Sequence, residues 1–68
     1  MMMMNGAMMK NDVIEAFNKA VNNKENQHEG GGMNWNFVDA DLNIDLGMFY
    51  SAEYLNECIG ILVDNYYA

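Results

Sequence analysis

Four oxygen-bearing side chains recur at alternate positions in DADLNIDLG, residues 39–47: Asp39, Asp41, Asn43 and Asp45. Hard oxygen donors at such spacing are what a twelve-residue calcium loop presents to its ion. That loop also requires glycine at its sixth position, where the chain turns sharply, and a bidentate glutamate at its twelfth. Here those positions hold Ile44 and Tyr50, and a β-branched isoleucine resists the turn. The even positions read differently. Ala40, Leu42, Ile44 and Leu46 form an apolar alternation, the pattern of a half-buried strand. The strand reading is preferred, with the acids on its outer face and no metal ligand assigned.

Other reactive types are sparse. Cys58 is the only cysteine and His28 the only histidine, too few for a zinc site. His28 sits in a polar, glycine-flanked stretch with nothing to orient it, and Cys58 falls among apolar residues at helical spacing, where a thiol packs as a small hydrophobe. Glu53 and Glu57 have the types for paired acid–base work, but a short exposed helix gives them no pocket. Gly30, Gly31 and Gly32 do not link a strand to a helix as a phosphate loop would. No catalytic residue and no cofactor is expected, and the chain reads as non-enzymatic.

Charge is the stronger signal. Residues 1–32 carry Lys10, Lys19 and Lys24 against Asp12, Glu15, Glu25 and Glu29, a net of −1. Residues 33–68 carry Asp39, Asp41, Asp45, Glu53, Glu57 and Asp64 with no Lys or Arg, a net of −6. Such a surface repels nucleic acid and anionic membranes and attracts basic partners. Seven aromatic residues share that half: Trp35, Phe37, Phe49, Tyr50, Tyr54, Tyr66 and Tyr67. Tyr beside acids is the composition of a protein-binding surface.

The elements that position these groups follow from periodicity. NDVIEAFNKAVNNK places Val13, Phe17, Ala20 and Val21 on one helical face, with Asp12 and Glu15 spaced as a capping box. Residues 25–32 read as a flexible polar and glycine loop. From Met33 the period shifts to two, giving strands over about 33–38 and 42–49 joined by a turn at Asp39-Ala40-Asp41. SAEYLNECIGILVDNYYA closes the chain as a helix capped by Ser51, its outer side carrying Glu53, Glu57, Gly60 and Asp64. The expectation is therefore one small α+β domain over 11–68, in the order α-β-β-α, preceded by a Met-rich segment 1–10.

Sixty-eight residues bury only roughly 60% of their unfolded surface, so a partner is an expected source of stability. No stretch reaches the ~20 apolar residues of a membrane span, the N-terminus lacks a signal-peptide pattern, and a lone thiol fits a cytoplasmic setting. The expected function is that of a small interaction protein that docks on a basic surface of a larger partner through Asp39, Asp41, Asp45, Glu53, Glu57, Asp64, Tyr54 and Tyr67. Nucleic-acid-handling proteins carry such surfaces, and occupying one would block it by charge mimicry. In size, acidity and lack of motif the chain is similar in type to phage-encoded inhibitors of host defence, anti-CRISPR and anti-restriction proteins among them. No residue motif carries that similarity. The alternative expectation is a homo-oligomer that pairs through a hairpin edge and an aromatic surface.

Overall fold

The spacing of apolar residues near the N-terminus produces helix α1, Asn11–Asn22, with Val13, Phe17, Ala20 and Val21 buried as their periodicity predicts. The structure, a computed structural model, describes residues 9–68. Of the Met-rich segment 1–10, residues 1–8 lie outside the described residues, while Met9 is buried against the core. The expected Asp12–Glu15 capping box does not form. Lys10 occupies the N-cap position with no side-chain cap, which places Asp12 inside the first turn. There its charge suits the positive end of the helix dipole.

The polar run after α1 closes the helix end. Asn26 Nδ2 donates to the Ala20 carbonyl at 2.9 Å, and Gln27 Nε2 donates to that of Val21 at 2.9 Å. The Val21 carbonyl near the helix end thereby gains a partner, and that of Ala20, which already accepts from the Asn23 amide at 3.2 Å, gains a second. Lys24–Asn26 forms a single 3-10 turn, with the Asn23 side chain accepting from the Glu25 amide. His28–Gly32 then closes as a turn, its His28 amide donating to the Gly32 carbonyl at 3.1 Å. Gly31 and Gly32 adopt φ of 101° and 90°, a region that disfavours any side chain.

The α-β-β-α expectation is overturned in the next segment. Residues 33–38 and 42–49, expected as hairpin strands, and Asp39–Asp41, expected as their turn, belong instead to helix α2, Trp35–Leu46, and its flanks. Among the described residues there is no strand, only an isolated antiparallel bridge between Gln27 and Met33. Asn34 caps α2 by accepting from the Phe37 amide. Val38, Leu42 and Leu46, spaced by four, are its buried residues. Spacing of four satisfies a period of two as well as a helical one, which is how the strand pattern arose.

A short turn through Gly47–Phe49 leads to Ser51, whose Oγ accepts from the Tyr54 amide at 3.1 Å and caps helix α3, Ala52–Tyr67. The three helices meet on one core, in which Val13, Val38, Leu42 and Leu55 are the largest fully buried side chains. Cys58 lies in the same core, and α1 and α2 share the most extensive contact. Aromatic contacts fasten the ends. Phe17 stacks on Trp35 with ring centroids 6.0 Å apart, and Trp35 Nε1 donates to the Tyr67 hydroxyl at 3.0 Å. The C-terminal turn of α3 is thereby tied to the first turn of α2.

Candidate interaction surface

Helical geometry redistributes the acids of residues 39–45. Residues two apart on a helix point ~200° away from one another, so Asp39 and Asp41 do not share a face as they would on a strand. Asp39 is half-buried, and its Oδ1 accepts from Asn43 Nδ2 at 3.0 Å. Asp41 is also half-buried, its Oδ2 accepting from Asn26 Nδ2 at 2.8 Å. Asn26 is the one buried polar residue among the described residues, so Asp41 completes an internal network rather than a free surface. Asp41 and Asp45 line a small crevice, about 40 Å³, together with Lys19 of α1. Asp45 itself is exposed. Among the described residues no group of three or more His, Cys, Asp or Glu is gathered as a metal site would need.

The acids of α3 stand where the sequence pattern put them. Glu53, Glu57 and Asp64 are all exposed, with Gly60 completing the stripe. No basic residue occurs in 33–68 to answer them from α2 or α3. The two tyrosines expected at the interface have internal duties. The Tyr54 hydroxyl accepts from the Lys10 amide at 3.4 Å, and that residue is half-buried. Tyr67 accepts from Trp35, although much of its ring remains exposed. Beside Tyr54, at a centroid distance of 5.1 Å, the Tyr50 hydroxyl donates to both Asp12 oxygens at 3.0 Å. Partial burial first, and then the Asp12 carboxylate, hold the Tyr50 proton above its ordinary range.

Cys58 and His28 occupy separate environments. The Cys58 thiol is buried, and that burial pushes its pKa up, so little thiolate forms at neutral pH. His28 is exposed on the glycine turn, beside an open cleft of about 370 Å³ that Tyr66 and Tyr67 also line.

The largest feature is one the alternating pattern concealed. Phe37 is 52% exposed, Ile44 77%, Met48 90% and Phe49 72%, whereas Leu42 is fully buried. With exposed Ala40, residues 37, 40 and 44 fall on one side of α2, opposite its buried stripe, and the exposed Met48 and Phe49 follow in the turn past the helix end. The helix is thus apolar on two faces, and only one is covered. A spacing of three, then four, then four over 37, 40, 44 and 48 was the sequence signal for it. Large exposed side chains gathered in this way mark surfaces that other molecules cover.

No protein family, curated protein or solved structure matches the chain.

Proposed function

We propose that this chain is a small, non-enzymatic interaction protein that docks on a basic surface of a larger partner. The observation that carries the reading is the exposed stripe of Glu53, Glu57 and Asp64 on α3, in a half of the chain that holds no Lys or Arg. Uncompensated carboxylates on a rigid helix present a fixed negative field, which speeds encounter with cationic surfaces and deters anionic ones. Surfaces of that kind belong to proteins that neutralise phosphates. Blocking one by charge mimicry is the action proposed, in the manner of phage-encoded anti-CRISPR and anti-restriction inhibitors, and in a cytoplasmic setting. Size, acidity and the buried, poorly ionised thiol support this over an enzymatic role.

Self-association is the second reading. The hairpin edge expected to mediate it is absent from the described residues, but the exposed Phe37, Ile44, Met48 and Phe49 favour it independently. Sedimentation at several concentrations separates the two readings.

The docking reading is tested by capture on the immobilised chain at low and high salt, with identification of what is retained. Expected are basic, nucleic-acid-handling proteins that elute as salt rises and bind less to a Glu53→Gln, Glu57→Gln variant. Capture indifferent to salt, or unchanged in that variant, would contradict the proposal.

A further inference from the structure

We infer that the cleft between the glycine turn and the C-terminal end of α3 is a guanidinium site, and that it takes an arginine side chain of the partner. The inference rests on the docking reading above for the source of that arginine, and it adds a site beyond the acidic stripe of α3. The cleft, about 370 Å³, has walls from two elements: Gln27, His28 and the glycine turn, and Tyr66 and Tyr67 of α3. The two tyrosine rings stand at 89° to each other with centroids 5.5 Å apart. Rings set edge to face form a corner, and the electron-rich faces within it attract a cation. Trp35 holds that corner in place. It makes edge contacts with both tyrosines, at 5.3 and 5.8 Å, and donates to the Tyr67 hydroxyl. Tyr66 and Tyr67 nonetheless remain 49% and 66% exposed, which leaves ring surface open to a ligand. Gln27 supplies the polar complement. Its Nε2 donates to the Val21 carbonyl at 2.9 Å, which fixes the carboxamide and leaves Oε1 without a donor among the described residues.

Charge and hydration select the ligand. No Lys or Arg lines the cleft among the described residues, and the chain carries a net −7, so an anion is disfavoured. No carboxylate lines it either, which removes the direct ion pair that would repay a strongly hydrated ammonium. A guanidinium is planar and weakly hydrated, stacks on aromatic faces and donates in its plane to an oxygen acceptor. Arginine therefore gains from the tyrosine corner and from Gln27 together, whereas lysine must shed tightly held water for the same contacts.

The test titrates the full 68-residue chain with two labelled peptides, identical except that one carries arginine and the other lysine at every basic position. The arginine peptide is expected to bind roughly tenfold more tightly. Tyr66→Leu should erase that difference, and Tyr66→Phe, which keeps a ring, should retain most of it. Glu53→Gln with Glu57→Gln should weaken both peptides alike and leave their ratio unchanged. Equal affinity of the two peptides for the wild type, or a ratio that survives Tyr66→Leu, would overturn the inference and leave the acidic docking reading standing. Binding of neither peptide at low salt would sink both. In wild-type NMR spectra the arginine peptide should shift the Gly31 and Gly32 amide signals and the Tyr66 and Tyr67 ring signals. Shifts confined to the region of Glu53 and Glu57 would overturn the inference whatever the variants do. Acetylated arginine amide should shift the same signals only at much higher concentration. Saturation at the peptide's own concentration would assign the cleft to a free guanidinium compound and overturn the partner as its source.

Discussion

Asn26 Nδ2 donates to Asp41 Oδ2 at 2.8 Å across fifteen residues of sequence, and joins the end of α1 to the middle of α2. The same amide nitrogen also reaches the Ala20 carbonyl at 2.9 Å, while the Asn26 carbonyl accepts from the Asn34 amide at 2.8 Å. One buried residue thus closes α1, holds α2 by a charge-assisted bond and fixes the residue that caps α2. Removing either partner leaves a polar group in the core without its mate. Asn26→Ala and Asp41→Ala should each lower unfolding free energy by about 1–3 kcal/mol in urea titrations. The double variant should cost less than the two combined. Strict additivity would show that the pair is not coupled.

Leu42 and Ile44 separate the helix from the strand by stability alone. On a strand they would share one face and matter alike. Here Leu42 is fully buried and Ile44 is 77% exposed. Leu42→Ala should cost about 2–5 kcal/mol, and Ile44→Ala about 0.5 kcal/mol or less. Similar losses at both positions would contradict the assignment of faces.

Gly60 sits inside α3 on its exposed side, and a methyl group added there meets nothing within 4 Å. Glycine carries an entropic cost that alanine avoids in a helix interior. Gly60→Ala should therefore raise unfolding free energy by about 0.5–1 kcal/mol. A loss of stability would mean that the position is not open.

Alkaline pH should destabilise the protein. Partial burial raises the pKa of Tyr50 and Tyr54 from 10.0 and that of Cys58 from 9.0, with Asp12 contributing at Tyr50. Raised folded-state values mean that the unfolded chain releases these protons first. Their contribution is complete below about pH 9 and is lost as pH rises through the folded-state values. The urea midpoint should hold steady from neutrality to that point and then fall, less steeply in Tyr50→Phe. A midpoint that rose above pH 9 would reverse the sign.

Legibility in the sequence depended on where the deciding interaction lay. The α1 core face and the Ser51 cap are local, set by spacing and by one side chain beside its own helix, and both appear as read. The α2 segment is different. Asn36, Asp39, Asp41, Asn43 and Asp45 are weak helix formers, and Asp45 opposes the dipole at the C-terminal end. Burial of Val38, Leu42 and Leu46 against α1 and α3 overrides that propensity, and no local rule contains it. The acids of α3 were legible as an exposed stripe because their element was read correctly. Those of α2 were placed on one outer face because theirs was not. Asn26 gave no signal at all, since an asparagine in a polar run becomes a core residue only when Asp41 arrives to meet it.

The open apolar face exists only if residues 35–46 are helical, because on a strand Ile44 would turn inward with Leu42. Backbone carbon chemical shifts over Trp35–Leu46 in solution measure this directly. Cα shifts displaced downfield throughout that segment, continuous across Asp39–Asp41, are the predicted result. Upfield displacement over residues 42–46, with a break at Asp39–Asp41, would restore the hairpin and remove the open apolar face.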